Sequence, residues 1–250
     1  MKTDSMCVAE FIGTFALVLV GAGSIIVNQQ IGDGLGLLGI ALAHGLTIAV
    51  MVSAFGHISG GHFNPAVTVG ILLTGKIAYM RAFAFIVAQI LGATAGAFLL
   101  KDLFPNAWEK AMLGTPMLAN GISPYLGGKI EAVLTFLLLT VVFGTAVDAR
   151  APKVGGLFIG LAITMGIIFG GTSTGAAMNP ARWFGPAFAG WASVQTSYNP
   201  WVGHFVYWLG PFAGAAIAAL IYRLWFLLPP APLASPSKLH RALYNDEKGS

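Results

Sequence analysis

Charged side chains are scarce. The 13 Lys and Arg and 9 Asp and Glu make up only 9% of a 250-residue chain that is 56% hydrophobic. A soluble fold of that length must present polar surface that this composition cannot supply, so lipid is the expected solvent for much of it. Cysteine is nearly absent as well. Cys7 stands alone, which excludes an intramolecular disulfide, a thiol redox pair and a cysteine metal cluster. Ser, His and acidic residues converge on no recognisable catalytic pattern, and no third ligand lies near His57 and His62 in the sequence. Neither an enzyme site, a metal site nor a cofactor is therefore expected. The net charge of +4 comes without a basic cluster interleaved with polar surface, which argues against nucleic acid as a partner.

Long apolar runs take the place of these features. A helix crossing the roughly 30 Å hydrocarbon core needs about 20 mostly apolar residues. Six stretches meet or approach that length: 8–28, 36–56, 81–101, 128–148, 156–172 and 203–227. The fifth is short and is expected to begin nearer Lys153 or to be completed by the irregular segment after it. With the N-terminus inside, Lys2, Lys76, Arg81, Arg150, Lys153, Arg223, Lys238, Arg241 and Lys248 are cytoplasmic, and only Lys101, Lys110 and Lys129 lie outside. This asymmetry predicts cytoplasmic termini. The first run is too long for a signal peptide and no convincing cleavage site follows it. A single transmembrane domain is expected over 1–228, followed by a loosely ordered cytoplasmic tail, 229–250.

The chain is built from one unit used twice. AEFIGTF around Glu10 matches IEAVLTF around Glu131, and GIALAHG from Gly39 matches GLAITMG from Gly160, both at an offset of 121. Asn64-Pro65-Ala66 recurs as Asn179-Pro180-Ala181 at 115, and ILGATAG ending at Gly96 recurs as WLGPFAG ending at Gly214 at 118. Each unit, about 6–101 and 128–227, holds three spans. An odd number makes the second copy enter the membrane from the opposite side, so the repeats are inverted and their site is expected where they meet near the midplane. The segment 102–127, with Pro105, Pro116, Gly121 and Pro124, reads as an outer loop. Gly92 with Gly96 and Gly210 with Gly214 are spaced for close helix packing.

The informative segments are GHISGGHFNPAVT, from Gly56 to Thr68, and GGTSTGAAMNPARWFG, from Gly170 to Gly185. In each, a Gly/Ser-rich stretch ends in Asn-Pro, and Asn as N-cap followed by Pro at the first helical position is a strong helix start. Half-membrane helices are expected over 65–75 and 180–190, about 16 Å long at 1.5 Å per residue. Irregular backbone at membrane depth survives only where protein buries it or a water-filled cavity receives its polar groups. Two such stretches in opposed repeats therefore imply a shared aqueous path. There the positive ends of both half-helices repel cations. Each Asn amide donates to a passing water, which interrupts proton hopping along a water chain.

The paired Asn-Pro-Ala boxes, their SGGHFNPAVT and MNPAR contexts, AEFIGTF and the inverted repeats resemble the major intrinsic protein (aquaporin) family over about residues 6–227. The resemblance implies an all-α membrane protein of six transmembrane helices and two re-entrant half-helices. It also implies a homotetramer and a passive water channel that excludes ions and protons. The channel pore is then marked by Asn64, Pro65, Ala66, Asn179, Pro180 and Ala181. By spacing from these boxes, His44, Ile167, Ala176 and Arg182 take the family's outer constriction. Glu10 and Glu131 resemble buried supports that accept hydrogen bonds from the re-entrant loops, in preference to a proton relay.

His44 and Ile167 depart from both strict water channels and glycerol facilitators, and His-Ile-Ala-Arg resembles some plant tonoplast intrinsic proteins. Ile167 widens the constriction and removes a donor, which His44 is expected to restore. The alternative substrates are ammonia, hydrogen peroxide, urea or glycerol. Tyr207-Trp208 resembles the aromatic pair of water channels and argues against glycerol, while Trp183 fits neither subgroup. Ala176 stands where some relatives carry a mercury-sensitive cysteine, so inhibition at that point is not expected. TAVDARAPK, from Thr145, looks most like microbial members and points to a prokaryotic plasma membrane, with the plant vacuolar membrane as the alternative. A secondary transporter would share inverted repeats but needs a coupling-ion site, and Glu10 and Glu131 are the only mid-membrane acids.

Overall fold

In the computed structural model the described residues are 3–151, 154–191 and 199–226. The tail expected at 229–250 lies outside them, as do Lys2, Lys153, Lys238, Arg241 and Lys248. Among the described residues, six helices are long and apolar enough to cross a membrane: α1 (Thr3–Gln30), α2 (Gly36–Ser59), α4 (Tyr79–Leu103), α5 (Pro124–Val147), α6 (Gly155–Thr174) and α8 (Val206–Phe226). Two short helices, α3 (Pro65–Leu73) and α7 (Pro180–Trp191), occupy the expected half-helix positions. The fifth span is a complete 20-residue helix, so the short apolar run understated it at both ends. No strand occurs among the described residues.

Local chemistry sets several of these boundaries. Asn64 has extended backbone and its side chain accepts from the Ala66 N–H, with Pro65 at the first helical position. Ser123 starts α5 in the same way, ahead of Pro124. At the other ends, Gly60 (φ 98°) closes α2 and Gly175 (φ 78°) closes α6, left-handed positions where glycine carries no Cβ penalty. Among the described residues, a π-helical stretch interrupts α1 at Leu17–Ala22, and two more, Phe143–Val147 and Tyr222–Phe226, form the last described residues of α5 and α8. The apolar pattern carried no sign of them.

The spaced glycines are contact points. A Cβ on Gly92 or Gly96 would overlap the carbonyls of Phe11 or Phe15 on α1, and one on Gly210 or Gly214 would run into α5 at Glu131 and Ala132. Gly45 of α2 and Gly160 of α6 meet in the same manner, each against the other's carbonyl oxygen. Backbones approach at these places because nothing stands between them. The outer faces are apolar: Leu38, Leu46 and Val50 of α2 are all more than half exposed, a surface suited to lipid. The chain is a multi-pass membrane protein. Below, the proximal side is where α1 begins and the distal side is where it ends.

Candidate functional site

Between α2 and α3, and again between α6 and α7, the chain makes the same irregular turn. Positive φ angles fall at Gly60, Gly61 and Phe63 in the first loop and at Gly175, Ala176 and Met178 in the second, a one-to-one match at the offset of the Asn-Pro-Ala boxes. Phe63, Ala176 and Met178 have side chains, so their left-handed backbone is strained by roughly 1–2 kcal/mol each. Buried carboxylates hold both turns in place. Glu10 accepts from Ser59 Oγ (2.6 Å), the His62 N–H (2.9 Å), the Phe63 N–H (2.6 Å) and Gln89 Nε2 (2.7 Å). Glu131 accepts from Thr174 Oγ1 (2.7 Å), the Ala177 N–H (2.9 Å) and the Met178 N–H (2.7 Å).

The two loops bring the asparagines face to face. Asn64 Nδ2 donates to the Met178 carbonyl (2.8 Å), and Asn179 Nδ2 donates to the Phe63 carbonyl (2.9 Å). Each Asn oxygen caps its own helix: Asn64 Oδ1 accepts from Ala66, and Asn179 Oδ1 accepts from Ala181 and Arg182. An amide has two N–H groups. One is committed across the repeat boundary, and the other remains to donate into the space beside it.

That space is a cavity of about 280 Å³ lined by Asn64, Asn179, His62, Val67 and Ala176 among others. Distal to it lies a second cavity of about 290 Å³, and His44, Ile167 and Arg182 line both. On the proximal side a third, of about 680 Å³, shares Gly60, Ala146 and Val147 with the first and is also lined by His57. Three cavities thus lie in series, and three of the four residues expected at the constriction, His44, Ile167 and Arg182, come together where the first two meet. Ala176 lines only the first of them.

Arg182 is 2% exposed and His44 1%. Arg182 Nε donates to His44 Nε2 (3.3 Å), and Nη1 donates to the Gly114 carbonyl (2.9 Å). His44 Nδ1 lies 2.9 Å from the Ile40 carbonyl, an acceptor only, so that nitrogen carries the proton and Nε2 is left to accept from the arginine. His44 therefore supplies no donor to the cavity, contrary to the sequence expectation. It holds Arg182, which lines both cavities together with Ile167.

Trp183, ambiguous in the sequence, points away from the cavities. It is fully buried and stacks on Tyr207 (ring centroids 5.6 Å apart, 9° between planes), next to Trp201, His204 and Trp208. Tyr207 in turn donates to the Thr174 carbonyl (2.9 Å), bracing the second loop. Sequence reasoning passed over Gln89 and Gly114. A lone glutamine in the apolar run FIVAQIL was a readable signal for the first. Gly114 acts through its carbonyl, which no side-chain pattern announces.

The chain matches the family model of the major intrinsic proteins over residues 1–222. It is 42% identical to aquaporin TIP4-4 of Zea mays over 238 residues, covering 90% of this chain and 89% of that one. It is 40% identical to probable aquaporin TIP3-2 of Arabidopsis thaliana, covering 88% and 83%. Among solved structures, the aquaglyceroporin from Plasmodium falciparum superposes with a TM-score of 0.81 at 24% identity, over 90% of this chain and 98% of that one, a likeness of fold. With three spans and a half-helix in each half and a family match across nearly its whole described length, the chain belongs to the major intrinsic protein family.

Proposed function

We propose that this protein is a passive water channel, driven by osmotic gradients, and not an enzyme. The observation that carries the reading is the cross-bonded asparagine pair, Asn64 to Met178 and Asn179 to Phe63, set where three cavities run in series. A water passing there meets an N–H donor from each asparagine, so its oxygen is engaged and it cannot relay a proton along a continuous chain. Arg182 and the two half-helix N-termini oppose cations on the same path. His44, Ile167, Ala176 and Arg182 form the constriction that selects, and Glu10 and Glu131 hold the loops that form it. The inverted repeats, about 6–101 and 128–227, are read as one transmembrane domain over 1–228.

The plant relatives named above are aquaporins of the TIP type, which favours water over the broader solutes and supports a vacuolar membrane over the prokaryotic plasma membrane expected from TAVDARAPK. The proximal side, with Lys76, Arg81, Arg150 and Arg223, is then cytoplasmic, and family membership supports a homotetramer with one path per chain. The test is stopped-flow light scattering on proteoliposomes of the purified chain. Under an impermeant osmolyte, vesicle shrinkage is expected to be at least tenfold faster than in empty liposomes, with little glycerol entry. Shrinkage at the empty-liposome rate would refute a constitutively open water channel, and rapid glycerol or ammonia entry would move the chain to the broader class.

A further inference from the structure

The far ends of the half-helices carry a second matched device. The carboxyl end of α3 faces the proximal side. There backbone N–H groups of Thr74, Lys76 and Gly75 take the carbonyls of Gly70, Ile71 and Leu72, and the Leu73 carbonyl accepts from Arg223 Nη1 at 3.4 Å. The carboxyl end of α7 faces the distal side, and its Ala189 carbonyl accepts from Lys101 Nζ at 3.2 Å. The Lys101 ammonium also sits 4.6 Å above the Trp108 ring, which restrains it. Each cation stands at the end of its own span, and each reaches into the other repeat: α4 of the first half caps α7, and α8 of the second caps α3.

The match is not a copied sequence. The aligned ILGATAG and WLGPFAG segments pair Lys101 with Ala219, and Arg223 lies one helical turn further on. Two different basic residues at two different registers each reach a carbonyl in the last turn of the opposite repeat's half-helix. A half-helix carries about half a positive charge at its N-terminus and half a negative charge at its C-terminus. These negative ends lie only about 15 Å from the asparagines at 1.5 Å per residue, so uncompensated they would cancel part of the positive potential at the midplane.

We propose that Lys101 and Arg223 are positioning residues that neutralise the outer poles of the opposite repeat's half-helices, thereby fixing those helices axially and raising the electrostatic barrier to cations at Asn64 and Asn179. The inference rests on the channel reading above. It predicts that charge at these two positions governs cation and proton leak while the flow of water, which carries no net charge, is spared.

The test uses full-length chains in proteoliposomes with an entrapped pH dye, with water flux recorded on the same vesicles. Lys101→Met with Arg223→Met is expected to raise proton flux about threefold to tenfold, mostly from the half-buried Lys101 charge acting across about 15 Å of partly polar protein, with the exposed and screened Arg223 adding about twofold, and with water flux within twofold. Lys101→Arg with Arg223→Lys keeps both charges and is expected to match the parent. A double Met variant that leaks no more than the parent overturns the proposal, even if it melts at a lower temperature. A charge-keeping variant that leaks as the double Met variant does overturns it too. Should the double Met variant not fold, Arg223→Gln at an exposed position gives the reading alone, with about a twofold rise expected and no rise as the refutation. A parent chain without water flux would instead indict the channel reading.

Discussion

Three residues beyond its capping asparagine the first half-helix carries Val67, and the second carries Arg182. Everything around those positions is built alike: the same run of positive φ angles, a buried glutamate beneath each loop, and reciprocal Asn-to-carbonyl bonds. The shared parts make the midplane nearly symmetric. Val67 adds an apolar wall to the inner cavity, whereas Arg182 is held by His44 and Gly114 at the junction with the outer one. Duplication therefore accounts for the fold and the asparagine pair, and the unmatched arginine is where the two half-helices differ along the path.

The symmetric parts should break most severely. Glu10→Leu strands four donors and Glu131→Leu three. At about 1–3 kcal/mol for each stranded buried donor, both should lose most folded protein, with Glu10→Leu the worse. Yield and monodispersity in detergent check this; a normally folded Glu10→Leu chain would show that the loops stand without it. Next comes the unmatched residue. Arg182→Ala should leave water flux within about twofold while cation or proton leak rises at least tenfold, because the constriction loses its charge and its donors. Unchanged exclusion would put the barrier wholly at the asparagines.

A smaller change reshapes the constriction without touching its charge. His44→Trp with Ile167→Gly should move permeation towards glycerol by several-fold, read from vesicle reswelling in a glycerol gradient. No gain would assign selectivity to the wider wall. The smallest effect lies away from the path, in the loop after α5. Arg150 pairs with Asp148 (2.6 Å) and also donates to the Phe226 carbonyl, and this bonding holds the Asp148 carboxyl well below its usual range. A depressed carboxylate contributes stability above its unfolded value, about 3.9, and loses that contribution only as pH falls through the lower folded value. Acidification from pH 7 to 5 should therefore leave this tie intact. Asp148→Asn should lower the melting temperature by no more than a few degrees, and a collapse of folding would show the loop tie to be essential.

The sequence made the spans, the half-helix starts and the asparagine pair legible because each rests on local signals: apolar length, Asn-Pro caps and a repeat that copies them. Glu10 and Glu131 stood out as acids inside apolar runs, and their role as supports was implied by the family resemblance. The reach of a backbone carbonyl was not. Gly114 meets Arg182 only after the outer loop, with left-handed Met112 and Leu113, folds back over α7. His44 was found by spacing, yet its role reversed, because whether an imidazole donates or accepts depends on the Ile40 carbonyl one turn before it and on an arginine 138 residues away. Trp183 fitted neither subgroup in the sequence; it follows Arg182 directly, but the helix turns it away from the cavities, to be buried against Tyr207.

The central claim is that one path passes water and denies passage to protons. It is tested most directly by imposing osmotic and pH gradients together on proteoliposomes and recording volume and internal pH in the same shot. The account predicts shrinkage at least tenfold faster than in empty liposomes, with proton entry no faster than in them. Shrinkage at the empty-liposome rate, or water flux accompanied by a matching rise in proton entry, would contradict it.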